Sequence, residues 1–204
     1  MTDHFTYRQE VYRKLIHLSS LWMACAVLFL PQSVCLTLFG LGTCAVLFFE
    51  FIRTKNHPLG HFAIKIFGKL LRPQETNAGF KPSGAVYVLL SAFIITFISP
   101  KEIAALALII ALTSDTAAAL IGRKWGKTPF YGKSCEGTAA FIIIGTLAGY
   151  VSGLLIGIEI DYLLCAVIAA TIIAALAEVF SPKIFLDDNF SVPIAAALTL
   201  LWLF

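Results

Sequence analysis

The sequence predicts an all-α, polytopic integral membrane protein with about seven transmembrane helices. Three observations predict it. Hydrophobic residues make up 59% of the 204-residue chain and charged residues only 13%, about half the charged share of a soluble domain. The mean hydropathy is +0.87. The apolar residues fall into seven runs near the length of a bilayer span, which takes about 20 residues. Too little polar surface remains to cover a soluble core, so a water-soluble globule, a disordered chain and a nucleic-acid binder are excluded. The chain reads as one membrane-embedded domain over 1–204.

The first run, Leu15–Leu30, can extend back through Tyr12. It lacks a small-residue cleavage site and reads as a retained span, not a signal peptide. Ser33–Phe49 is the second, followed by Ser83–Ser99, Ile103–Gly122, Thr138–Ile158 and Tyr162–Phe180. The seventh, Ser191–Phe204, is 14 residues long and reaches only about 21 Å. With seven spans and a cytoplasmic N-terminus, every Lys and Arg except Lys101 faces the cytosol, as the positive-inside rule requires. The C-terminus is then outside. If the protein is bacterial, its membrane is the inner or plasma membrane.

The loop Ile52–Pro82 carries an amphipathic pattern. Leu59, Phe62, Ala63, Ile66, Phe67, Leu70 and Leu71 share one helical face, and His61, Lys65, Lys69 and Arg72 the other. This predicts a cytoplasmic interfacial helix lying on an anionic membrane surface. The five cysteines form no CxxC or Cys/His cluster, so no zinc site or disulfide framework is expected.

Acids inside spans are costly and usually line polar cavities. Glu50, Asp115 and Glu178 stand in or at the end of spans. Glu50 reads as a helix-end residue snorkelling to the interface. Glu178 lies about one turn from the cytoplasmic end of its run. Asp115 is deeper, about 10 Å inside that boundary, with Thr113, Ser114 and Thr116 around it.

Asp115, Ala118, Gly122 and Gly126 are spaced to share one helical face,. A packing stripe explains the small residues but not the Asp at its head, nor the loop that follows with Arg123, Lys124, Lys127 and Lys133. That loop is not a Walker A motif. Gly122 to Lys127-Thr128 is one residue too short, and Gly126 to Lys133-Ser134 one too long,. Ser134 is placed to cap the helix starting near Gly137. A helix N-terminus beside ammonium groups is a ready phosphate site.

These residues resemble the D-x-x-A-x-x-x-G-x-x-x-G…K-[ST]-x-E-G loop of the CTP-dependent lipid kinases, the family of dolichol, phytol and CTP-dependent diacylglycerol kinases. Asp115, Ala118, Gly122, Gly126, Lys133, Ser134, Glu136 and Gly137 fall on the pattern. Arg13-Lys14-x-x-His17 is similar to the family's N-terminal R-K-x-x-H, and Glu178…Asp187-Asp188-Asn189…Pro193 to its C-terminal E…D-D-N…P. The chain is much shorter than dolichol kinase and nearer the phytol kinase and bacterial types.

The resemblance implies phosphoryl transfer from CTP, or another nucleoside triphosphate, to a membrane lipid alcohol of isoprenoid, polyprenol or diacylglycerol type, with Mg²⁺. Asp115, Glu136, Asp188 and Asn189 are the expected metal ligands. Gly122, Arg123, Gly126, Lys127, Lys133, Ser134, Glu136 and Gly137 are expected around the nucleotide, with Arg13 and Lys14 nearby. Asp115 is placed with the catalytic groups, and the base is Asp188, Glu178 or His17. Two rivals stand beside this reading. A phosphatidate cytidylyltransferase would release pyrophosphate. A small transporter would spread its acids toward the bilayer midplane, whereas here they gather on the cytoplasmic side.

Overall fold

A computed structural model of the chain describes residues 6–54, 82–159, 161–184 and 186–204. The interfacial helix expected over Leu59–Arg72 lies outside the described residues. Those described form helices joined by short turns, with one two-residue β-hairpin.

Thr6 starts α1 (Tyr7–Ser19) with a capping box, its hydroxyl accepting the Gln9 N–H while the Gln9 side chain accepts from Thr6. The first expected span is not one continuous helix. It is divided between α1 and α2 (Trp22–Phe29). At the join, the N–H groups of Ser20 and Leu21 donate three residues back, to His17 and Leu18, and the Ser19 hydroxyl donates to the Ile16 carbonyl. Serine hydroxyls compete with the helical ladder in this way and tighten the turn.

Pro31 opens α3 (Gln32–Thr54). Glu50, near its far end, does not snorkel. It is buried, and both its oxygens accept the Ser83 N–H at 3.0 and 3.1 Å, at the start of α4 (Gly84–Ile98). A carboxylate there is favoured by the positive end of the helix dipole.

The hub is α5 (Lys101–Trp125), which packs on α1, α2, α6 and α8. Its residues from Ile103 to Leu112 are buried almost without interruption, as a helix apolar on every side must be. α6 (Cys135–Ile156) lies against it through the buried Gly137, Gly145 and Gly149, while the buried Gly153 faces Leu163. A methyl at Gly145 would run into Ser114 Oγ and come 2.7 Å from Thr171 Cγ2; one at Gly149 would fall 2.8 Å from both Ile110 and Val167. Small residues therefore let α5 and α7 (Leu163–Phe180) approach α6 closely,.

A short 3₁₀ turn, Ser181–Ile184, leads to α8 (Asp188–Leu203), capped by Asp187, which accepts the Asn189 N–H at 3.0 Å. α8 begins before the predicted Ser191 and contains Pro193. Proline has no N–H for the carbonyl four residues back, and that carbonyl, of Asn189, accepts instead from Ser91 Oγ on α4 at 3.3 Å.

Among the described residues, four helices are long and apolar enough to cross a membrane: Gln32–Ile52 within α3, α5, α6 and α7. α4 and α8 are apolar but shorter, about 22–24 Å at 1.5 Å per residue. α3 and α4 run antiparallel, as do α7 and α8. Gln32 at the start of α3 donates to Thr96 at the end of α4 at 2.7 Å, and Tyr162 before α7 donates to Leu203 at the end of α8 at 2.9 Å. Large apolar side chains such as Phe29, Leu41, Leu155 and Trp202 point outward and are exposed, as a lipid-facing surface requires.

Candidate functional site

At the end of the bundle opposite Lys101, three elements bring carboxylates together. Asp115 comes from α5, Glu178 from the last turn of α7 and Asp188 from the first turn of α8. One oxygen of each lies within 4.8 Å of the others. Thr113 and Thr116 do not reach Asp115; their hydroxyls donate to carbonyls of their own helix at 2.6 and 2.7 Å. The partners of Asp115 come from α1, where Lys14 Nζ forms an ion pair with Oδ2 and His17 Nε2 lies 3.0 Å from the same oxygen. Lys14 is only 2% exposed, so its charge is affordable only because it is paired.

Lys133 arrives on a hairpin that the all-α expectation did not include. β1 (Pro129–Phe130) and β2 (Lys133–Ser134) pair antiparallel around Tyr131-Gly132. Both turn residues have positive φ, 46° and 87°, as a two-residue type I′ hairpin demands. The hairpin is steadied by Tyr131 against Phe180, with ring centroids 5.8 Å apart, and by Lys183 Nζ 4.1 Å from the Tyr131 ring. Lys133 Nζ then stands 2.6 Å from Glu178 Oε1 and 3.4 Å from Asp188 Oδ2. Burial pulls its pKa down, but Glu178 and Asp188 more than offset this and hold it above the ordinary 10.5.

Beneath the hairpin, Ser134 caps α6 by accepting the Gly137 N–H at 3.1 Å. The small-residue stripe meets this corner. A methyl on Gly122 would fall 3.1 Å from Ser134 Oγ; one on Gly137, 3.0 Å from the Ala118 carbonyl; one on Gly126, 2.8 Å from Ser134 Cβ. The glycines thus serve close approach between the end of α5 and the start of α6, and through it they place Lys133.

Glu136 is not with the three carboxylates. Its oxygens accept the Thr128 N–H at 3.1 and 3.3 Å, and Oε1 the Thr128 hydroxyl at 3.2 Å, closing the loop after α5. Asn189 borders a cavity of about 10 Å³ together with His17, Asp115 and Asp188, room for about one water. Its amide is engaged locally, donating to Asp187 Oδ1 at 2.7 Å. Lys127 is exposed on the loop.

One acid was not singled out in the sequence. Glu10 on α1 is 3% exposed. It accepts from Arg13 at 2.5 and 3.4 Å and lies 3.6 Å from Arg123 Nε at the end of α5. The available signal was an acid one helical turn before Arg13.

Fold and site together define a helical protein with several membrane-length apolar helices and a charged cluster at one end of the bundle. No family model matches the chain, and no solved structure does. Over 198 residues, 97% of this chain and 95% of the relative, it is 27% identical to an uncharacterised protein of Rickettsia prowazekii (strain Madrid E). Over 90 residues, 43% of this chain and 40% of the relative, it is 32% identical to the CTP-dependent diacylglycerol kinase 1 of Schizosaccharomyces pombe (strain 972 / ATCC 24843).

Proposed function

We propose that this chain is a seven-span membrane enzyme that transfers the γ-phosphoryl group of CTP to the hydroxyl of a membrane lipid alcohol, diacylglycerol or an isoprenoid alcohol. Its N-terminus and site face the cytosol and its C-terminus lies outside. The observation that carries this reading is Lys133 seated among Asp115, Glu178 and Asp188, drawn from three helices to one end of the bundle. The partial similarity to the fission-yeast kinase supports the choice of nucleotide and acceptor class.

Phosphoryl transfer needs positioning and charge neutralisation more than covalent chemistry. Asp115, Glu178 and Asp188 suit Mg²⁺, a hard cation usually held through one or two carboxylates plus phosphates,. When bound, it would screen the charge of the nucleotide phosphates. Two ammonium groups, Lys14 and Lys133, face the three carboxylates, and the neighbouring Arg13 is paired with Glu10, so the cluster keeps a surplus negative charge that favours a divalent cation. Glu136 stands apart and is not in this set.

Lys133 turns to phosphate oxygens as the nucleotide enters from the cytosolic side. The lipid alcohol approaches from the bilayer with its hydroxyl at headgroup depth. His17 takes the hydroxyl proton. With Nε2–H donated to Asp115, its Nδ1 is left as the acceptor, and it can act without surrendering a metal-binding carboxylate,.

The test is purified protein with labelled CTP, ATP and GTP against diacylglycerol, an isoprenoid alcohol and phosphatidate, with Mg²⁺ or EDTA. CDP and a lipid phosphate are expected, and EDTA should abolish both. Pyrophosphate and CDP-diacylglycerol from phosphatidate would overturn the reading in favour of cytidylyl transfer.

A further inference from the structure

Glu10 is a buried carboxylate that takes no part in the cluster of Asp115, Glu178 and Asp188, yet it draws together two arginines from different helices. It accepts from Nε of Arg13 at 3.4 Å and from a terminal amine of the same guanidinium at 2.5 Å, one to each carboxylate oxygen. This two-point pairing fixes the plane of the Arg13 guanidinium. The oxygen facing Arg13 Nε also lies 3.6 Å from Nε of Arg123. Arg13 is near enough to Asp115 and Asp188 to feel both charges, so it borders the carboxylate cluster. Arg123 is at the end of α5, 41% exposed, on the side where the basic loop begins.

We propose that Glu10 is a positioning residue that holds Arg13 and Arg123 as a two-arginine clamp for the phosphate groups of the nucleoside triphosphate. The proposal rests on the kinase reading above. Glu10 touches no substrate; it acts through the guanidiniums. Arginine forks match phosphate oxygens in a way that flexible ammonium groups do not, and a fork serves only if its plane is held.

Simple electrostatics predicts the opposite sign. Removing a negative charge beside two arginines should strengthen anion binding; removing a positioning group should weaken it. The experiment is CTP binding to full-length protein in detergent with Mg²⁺, with cytidine as the control, for wild type, Glu10→Gln, Arg123→Gln and the double variant, beside thermal melting.

Glu10→Gln should weaken CTP binding about tenfold, the order of one charge-assisted contact, and leave cytidine binding unchanged. The double variant should be weaker than Arg123→Gln alone, because Glu10 also holds Arg13, but by less than the sum of the two separate losses, because both changes act on one clamp. Unchanged or tighter CTP binding by Glu10→Gln overturns the proposal, as does full additivity in the double variant. If Glu10→Gln does not fold, Arg123→Gln decides: CTP affinity equal to wild type overturns the clamp. Wild-type protein that binds no nucleoside triphosphate would refute the kinase reading instead, a result distinct from all of these.

Discussion

Lys133 Nζ and Glu178 Oε1, 45 residues apart in sequence, meet at 2.6 Å where the hairpin closes over the end of α7. Glu178 is 4% exposed, so Lys133 is what makes a carboxylate tolerable there. Lys133→Met should lower stability by about 2 kcal/mol, less than for a fully buried pair because Lys133 is 30% exposed,. Adding Glu178→Gln should restore part of that loss. Thermal melting of the single and double variants checks the pair, and CTP affinity should fall in Lys133→Met.

The corner formed by Gly126 and Ser134 is a packing device. Gly126→Ala would drive a methyl into the Gly122 carbonyl and to 2.8 Å from Ser134 Cβ, forcing the hairpin away from α5. It should lower the melting temperature more than Ser134→Ala, which removes only an N-cap worth about 1 kcal/mol. Equal melting temperatures for Gly126→Ala and wild type would contradict the close approach.

Glu10 also has a pH signature. Burial raises its pKa, but Arg13 and Arg123 more than offset this and hold it below the ordinary 4.5. A depressed carboxylate contributes stability above its unfolded value, and that contribution is lost as the pH falls through the folded value. The difference in melting temperature between wild type and Glu10→Gln should therefore be fully present above pH 4.5 and shrink below it. A constant difference across that range would mean that the ion pair contributes nothing.

Orientation is open to direct chemistry. Single-cysteine variants in a background without the native cysteines separate the two sides. Lys127→Cys should resist an impermeant thiol reagent applied to intact cells, and Glu159→Cys should react. Reversed labelling would place the charged cluster on the wrong side for cytosolic nucleotide.

Much of this arrangement is legible in the sequence because membrane burial writes itself in runs of apolar residues and in the placement of Lys and Arg. Asp115 and Glu178 stand out because acids in apolar runs are costly, whereas Lys133 and Asp188 lie in polar loops and are marked by the family resemblance. Ser134 declares its cap through its place before Glu136-Gly137. Other features depend on tertiary contacts that no local pattern reports. Glu50 looks like a helix-end acid, but its partner is Ser83 of another helix. Glu10 sits in a polar N-terminal stretch, and only the docking of α1 on α5 buries it. Glu136 shares its loop's polarity with the site residues, but Thr128 claims it locally. The break between α1 and α2 falls at Ser19-Ser20, where a hydropathy run shows no interruption.

The most direct test compares Asp115→Asn with wild type in transfer of labelled γ-phosphate from CTP to the lipid fraction, with melting temperature and CTP affinity measured beside it. The substitution keeps size and removes charge. If Asp115 only packs, an amide is easier to bury than a carboxylate, and turnover should stay near normal. The carboxylate cluster predicts a folded protein whose turnover falls by orders of magnitude; near-normal turnover in Asp115→Asn would contradict the proposed mechanism.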